Sequence, residues 1–322
     1  PMTLRTRRRR AIALLALAGG VALAGCHRSR TSNELVVSLN KLSTPYSVML
    51  KRYAERAARQ AGVEVAVLDG QGDSSKQSAD LRAASVRGAK AIVLAPNDSS
   101  ALAPAVDDLR QDGVAVIAID RRLDGTAQPV AFVGADNTQG GRLLGQWVVQ
   151  HFPKGARVVV ITNEPGSSTE IERSRGVHQG LGAGGPTYRI IAEQTANSSR
   201  DQALTVTQNI LTAFSAAPPD AIICLNDDMA IGALEAIRSA GLPRDRIKVL
   251  GFDANPEALA RIRAGDMSAT VEQSPARQVS TAIREALDAI RTGAKPRSVT
   301  LQPLLITAAN LDQAERASEA KP

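Results

Sequence analysis

Ring-bearing side chains are scarce: Phe, Tyr and Trp number four, three and one among 322 residues. A core must therefore be filled by Ala, Val, Leu and Ile, and few rings remain to stack on a ligand. Cysteine is scarcer, at Cys26 and Cys224 only, which excludes a disulfide framework. The three histidines, His27, His151 and His178, are scattered, so no cluster has metal-ligand spacing. A Gly-x-Ser-x-Gly elbow, a P-loop and a dinucleotide glycine fingerprint after the first strand-like run are all missing. These absences speak against an enzyme, and no catalytic residue, metal or cofactor is assigned.

The amino terminus has the layout of an export signal. Arg5 and Arg7 to Arg10 form a basic region, Ala11 to Leu23 an apolar stretch, and small residues follow. That stretch is shorter than the roughly 20 apolar residues a membrane span needs, and it contains Gly19 and Gly20. The mature chain is therefore expected outside the cytoplasm, in the periplasm or cell envelope. Leu23-Ala24-Gly25-Cys26 closely resembles the lipobox of bacterial lipoproteins, in which the cysteine takes a lipid and becomes the first mature residue. That would anchor the protein to a membrane through Cys26. The alternative is cleavage after Ala24, leaving Cys26 as a free thiol. Loss of the five signal arginines lowers the net charge from +7 to +2, with 34 basic against 32 acidic residues, so the basic balance does not indicate nucleic acid. Cys224 lies in the apolar run Ala221 to Leu225 and reads as a small core residue.

About 297 residues follow a signal of residues 1–25, a length that suits two domains. From Leu35 onward, short β-branched runs alternate with helical segments, and Gly62, Gly88, Gly113, Gly241, Gly265 and Gly293 sit where helices end. The pattern predicts strands over 35–39, 63–68, 91–94, 114–119, 131–133, 158–162, 188–192, 221–225, 247–251 and 268–271. The clearest helices are 47–61, 138–150, 200–213, 228–239 and 275–291, and Trp147 falls on a packing face. Such alternation specifies parallel sheets, and there are enough strands for two. A break near Asp136-Asn137 divides the series without a long linker, and the polar, alanine-rich tail from Ala314 is expected to fray.

Three apolar runs stop on polar residues: Val114 to Ile119 before Asp120-Arg121, Ala221 to Leu225 before Asn226-Asp227, and Val249 to Phe252 before Asp253. Ligands of open parallel α/β sheets sit at the carboxyl ends of the strands, so the repetition points to a binding cleft. Helix capping is the other reading of each Asp and Asn.

Nearly the whole mature chain resembles the D-ribose-binding type of periplasmic sugar-binding protein, whose core also serves as the sensor of lactose-repressor-like regulators. The resemblance rests on Leu39 to Ser47 (LNKLSTPYS), Val67 to Gly72 (VLDGQG), Ala118 to Arg121 (AIDR), Gly134 to Gly141 (GADNTQGG), Gly166 to Gly176 (GSSTEIERSRG), Cys224 to Leu234 (CLNDDMAIGAL), Leu250 to Pro256 (LGFDANP) and Ala269 to Pro275 (ATVEQSP). It implies an α/β fold of the type I periplasmic binding protein: two doubly wound parallel-sheet lobes joined by three hinge crossovers near Asp136, Gln273 and Val299. The first lobe would comprise residues 33–135 and 274–298, the second 136–273 and 299–312, with 313–322 a disordered tail.

Carried over position by position, the resemblance implies a ligand set of Asp120, Arg121, Arg173, Asn226, Asp253 and Gln273, with Thr44 and Tyr46, and Asp136 and Asn137 as hinge-supporting residues. Ser47 and Ser198 stand where the ribose-type pattern has aromatics, Thr44 and Ala95 where it has asparagines. The implied function is the solute-binding component of an ABC-type importer. It would take a monosaccharide or related polyol by hinge closure and deliver it, as a monomer, to an inner-membrane permease. A ligand sensor docking on a membrane receptor or sensor kinase is the alternative. A signal in place of a helix-turn-helix argues against nucleic acid, and an Asp120/Asp253 glycosidase pair would leave no room for a leaving group.

Overall fold

The computed structural model describes residues 34–320. The lipobox-like Cys26 and the rest of the signal lie outside the described residues. Six strands form one all-parallel sheet in the order β2, β1, β3, β4, β5, β11. They are β1 (Leu35–Leu39), β2 (Ala66–Asp69), β3 (Ala91–Leu94), β4 (Ala115–Ile119), β5 (Ala131–Ala135) and β11 (Val299–Leu301). β1 and β3 are buried along their whole length, as strands covered by helices on both faces must be. The first-lobe helices are α1 (Pro45–Gln60), α2 (Ser74–Val86), α3 (Ala103–Gln111) and α9 (Pro275–Thr292). Although late in sequence, α9 packs on α1 and on β3 to β5, burying Val279, Ala282, Ile283, Ala286 and Leu287 against them.

The second sheet has the order β7, β6, β8, β9, from β6 (Ala156–Thr162), β7 (Tyr188–Thr195), β8 (Ala221–Cys224) and β9 (Lys248–Leu250). Its helices are α4 (Asn137–His151), α5 (Ser168–Gly182), α6 (Arg200–Ala213), α7 (Asp227–Ser239) and α8 (Pro256–Ala264). α4 and α5 meet through Gly141 and Gly145 on one helix and Gly176 and Gly180 on the other, where a Cβ would strike the facing backbone. Trp147 is buried in this lobe's core, and so is Cys224, whose thiol is pushed well above its ordinary range by burial. Among the described residues no helix is long and apolar enough to cross a membrane.

The chain passes between sheets after β5, between β10 (Thr270–Glu272) and α9, and between β11 and β12 (Leu304–Ile306). β10 and β12 pair antiparallel. Two expectations need correction. Val299–Leu301 extends the first sheet, in register with Val133 to Ala135, so the third crossing comes after Leu301 and not at Val299. Residues 314–320 do not fray: Ala314 and Ala320 pack with Ala254, Leu259 and Ile306, and Arg316 is 5% exposed. Alanines and one arginine look polar and featureless in sequence, yet small side chains can enter a shallow groove that the fold supplies.

Candidate functional site

At the carboxyl ends of both sheets polar side chains from both walls line a small shared cavity. The first-lobe wall begins where β4 ends. Asp120 has φ +63, a left-handed conformation that suits Asp better than most residues, and its amide donates to Val133 O at 3.1 Å. Its Oδ1 is buried and has no partner within the protein. Thr44 caps α1 by accepting from the Ser47 amide at 3.3 Å, which places Tyr46 and Ser47 in the first turn beside Asp120. Asn40 accepts from Ser47 Oγ at 3.3 Å and completes that corner.

The second-lobe wall is organised around Arg173 of α5, 3% exposed. Its Nε donates to Asn137 Oδ1 at 2.8 Å, its Nη1 donates to Leu225 O at 2.7 Å and lies 3.6 Å from Asp253 Oδ1, and its guanidinium sits 3.6 Å over the Phe252 ring. The fork is thus held rigidly with a free edge toward the cavity. Asn226 caps α7 through Oδ1, which accepts from the Met229 amide at 2.8 Å, so the capping and cavity-facing readings both hold for it. Asp253 follows Phe252 with φ +114.

Burial pushes the Asp253 carboxyl up to about 7, with Arg173 opposing and Asp120 and Asp228 adding to the rise. Burial likewise raises Asp120 against the pull of Arg173 and Arg121, and raises the Tyr46 hydroxyl, reinforced by Asp120 and Asp253. Glu164 behaves oppositely. Burial would raise it, but Arg121, Ser198 and Lys41 hold it down at about 2. Buried polar atoms without partners, Asp120 Oδ1, Asn163 Oδ1 and Tyr46 OH, beside the Arg173 guanidinium describe a cavity suited to a guest that both donates and accepts hydrogen bonds.

Thr44, Tyr46, Asp120, Arg121, Arg173, Asn226 and Asp253 all line this one cavity. Gln273 does not: it is 1% exposed behind Asp253, donating to Oδ1 at 2.6 Å, while its own carbonyl accepts from Gln278 Nε2 at 2.8 Å. Asp136 caps α4 by accepting from the Gln139 amide at 2.9 Å, and its amide donates to Leu301 O at 3.0 Å beside the crossing. Asn137 orients Arg173. Sequence reasoning gave no role to Asn40, Asn163, Thr169 and Asp228, which also line the cavity, or to Glu164, which pairs with Arg121 of its wall. Asn40, Thr169 and Asp228 lie within the motifs that carry the resemblance, whereas a loop acid such as Glu164 carries no local signal. A larger depression of about 320 Å³ lies between α7 and α8, lined by Ile231, Leu234 and Leu242 with partly exposed charges, and lacks convergent buried polar groups.

A family model described as a periplasmic binding protein domain matches residues 35–295. The ribose import binding protein RbsB of Bacillus subtilis is 36% identical over 270 residues, covering 83% of this chain and 85% of the relative. The crystal structure of a Caulobacter myo-inositol binding protein bound to myo-inositol superposes with a TM-score of 0.88 at 59% identity, over 89% of this chain and 97% of that one. An ABC transporter periplasmic solute binding protein from Actinobacillus succinogenes with bound D-allose gives 0.78 at 30% identity, over 85% and 97%. The doubly wound sheets, the polar cavity at their carboxyl ends and these matches together establish that the chain belongs to the periplasmic binding protein domain family, in its ribose-type sugar-binding branch.

Proposed function

We propose that this protein is the extracytoplasmic solute-binding component of an ABC-type importer and that its guest is a cyclitol of the myo-inositol class. The observation that carries the reading is the cavity's chemistry. Asp120 Oδ1, Asn163 Oδ1 and Tyr46 OH are buried without partners, Asp253 and Arg173 face the same space, and Ser47 and Ser198 line it at positions where the resemblance to the ribose-type pattern implies aromatics. A ring with a hydroxyl on every carbon meets such a wall with a donor or acceptor in every direction, whereas a ribose would leave more of it unpaired. The 59% identity to a myo-inositol binding protein supports the same ligand class.

Asp120, Arg121, Arg173, Asn226, Asp253, Thr44 and Tyr46 are the proposed ligand contacts, and Gln273 acts through Asp253. Asp136 and Asn137 stand beside the crossings about which the lobes close. The location follows the family, the periplasm, with a lipid anchor at Cys26 as our proposal for attachment; the mature protein works as a monomer that hands its guest to a membrane permease. Calorimetry with myo-inositol, D-ribose and D-allose tests the ligand. We expect myo-inositol to bind at least tenfold more tightly than either aldose; equal or reversed affinities would overturn the cyclitol assignment. Mass spectrometry of the mature amino terminus tests the anchor.

A further inference from the structure

The carboxy-terminal segment reaches the back of the ligand cavity. It lies beyond residue 295, where the family match ends, and runs through two short 3-10 turns, Leu311–Gln313 and Ala317–Glu319. It is fastened on both sides of Arg316: the Ala276 amide donates to Glu315 Oε1 at 2.8 Å, the Glu315 amide donates to Glu272 Oε2 at 2.9 Å, and Arg263 Nη1 donates to Ala320 O at 2.6 Å. Arg316 itself is buried. Its Nη2 donates to the backbone carbonyl of Asp253 at 2.8 Å, and its Nη1 rests on Met49 Sδ of α1, in the other lobe. It is absent from the cavity wall.

Asp253 (φ +114) and Ala254 (φ +49) are consecutive non-glycine residues in a region that L side chains disfavour. Such a turn persists only where its surroundings hold it. The Asp253 amide donates to Val271 O at 2.8 Å, the Ala254 amide to Thr270 Oγ1 at 3.1 Å, and the Asn255 amide to Asp227 Oδ2 at 2.8 Å. Thr270 Oγ1 in turn donates to Asp227 Oδ1 at 2.7 Å. The Asp253 carbonyl is the group these residues leave over, and Arg316 takes it with a charge-assisted bond. The direction of the Asp253 carboxylate, which shares the cavity with Asp120 and Arg173, follows from the backbone so held.

We propose that Arg316 is a positioning residue for ligand binding, acting through Asp253 and never touching the guest. The assignment rests on the cavity reading above and extends it to a segment outside the matched domain. Arg316→Met should weaken myo-inositol binding at least tenfold in calorimetry, and Arg316→Lys should recover part of that loss. In an Asp253→Ala background, where no carboxylate remains to be aimed, adding Arg316→Met should change affinity less than twofold. Binding by Arg316→Met within twofold of the parent, or an additive loss in the double variant, would overturn the proposal.

A ligand-free measurement separates this role from the identity of the guest. If the parent gives no heat with myo-inositol, the cyclitol reading fails, and amide hydrogen exchange decides the case for Arg316. Exchange at Ala254 and Asn255 should quicken at least tenfold in Arg316→Met while Ile222 in β8 keeps its parent rate. Unchanged exchange at the turn, or quickening throughout the second lobe, would refute the positioning role.

Discussion

Glu164 of the second lobe accepts from Arg121 Nη2 of the first at 3.1 Å. Lys41 Nζ approaches the other oxygen of the same carboxylate at 3.3 Å, and Ser198 Oγ donates to Oε2 at 2.8 Å. Arg122 makes a second crossing, pairing with Glu172 at 2.9 Å while its amide donates to Ser168 Oγ at 2.7 Å. Arg121 is thus a cavity-wall residue whose guanidinium also forms an ion pair between the two lobes, one that the proposed hinge opening would break.

Removing that pair should favour the open form. In Glu164→Gln, Lys41 and Arg121 are left facing each other without a counter-charge, and a partly buried charge-assisted bond of about 1.5–3 kcal/mol is lost. Affinity for the ligand should fall roughly tenfold, since only the closed state holds it. Small-angle scattering of the unliganded variant should show a larger radius of gyration, and an unchanged affinity would show the pair to be incidental.

Asp253 and Glu164 give opposite pH dependences. Asp253, raised to about 7, favours the fold while protonated, so its contribution is complete below about 4 and is lost as pH climbs toward 7. Asp120, Asp227 and Asp228, raised chiefly by burial, act in the same direction. Glu164, held at about 2, contributes above the ordinary carboxyl range near 4.3 and loses that contribution as pH falls toward 2. Denaturant midpoints of the ligand-free protein should therefore decline from pH 5 to pH 7, less steeply in Asp253→Asn. A ligand that donates to ionised Asp253 should release protons on binding near pH 6, measurable by calorimetry in buffers of different ionisation enthalpy.

Asp120 pairs a strained backbone with a buried, unpartnered oxygen. Asp120→Asn keeps a residue that tolerates the left-handed conformation but removes the buried charge. The unliganded variant should melt no lower than the parent, while ligand affinity drops by about tenfold or more, the cost of one charged hydrogen bond. A variant that loses stability and keeps affinity would contradict this division of roles.

Gly141 and Gly176 decide how closely α4 and α5 approach. A Cβ on Gly141 would run into the Arg173 carbonyl, and one on Gly176 into the Thr138 carbonyl. Gly141→Ala should cost about 1–3 kcal/mol in denaturant unfolding by forcing the helices apart. Because α5 carries Arg173, binding should weaken as well. Gly182→Ala on the same helix, with open space around it, should be close to neutral and serves as the control.

Much of the architecture was legible because it is written in local periodicities. The strand predicted over 35–39 and the helix over 200–213 match to the residue. β7 runs to Thr195 instead of ending near Ala192, since an edge strand needs no apolar run to continue its ladder. The three polar stops at Asp120, Asn226 and Asp253 were visible as charges after apolar runs, and their convergence follows from parallel strands ending on one side. Gln273 shows the limit of carrying a position over: it stands one residue past β10, yet its amide points at Asp253 and not into the cavity.

The sequence by itself determined the alternation of strands and helices, the division near Asp136 and the polar residues at the strand ends, because each depends on neighbours within a turn or two of chain. Tertiary structure alone decided that Glu164 meets Arg121, 43 positions away, and that Arg316 reaches Asp253 over 63 positions. Those pairings leave no periodic trace, since a side chain in a loop or tail acquires its partner only when packed sheets and helices bring distant backbone together.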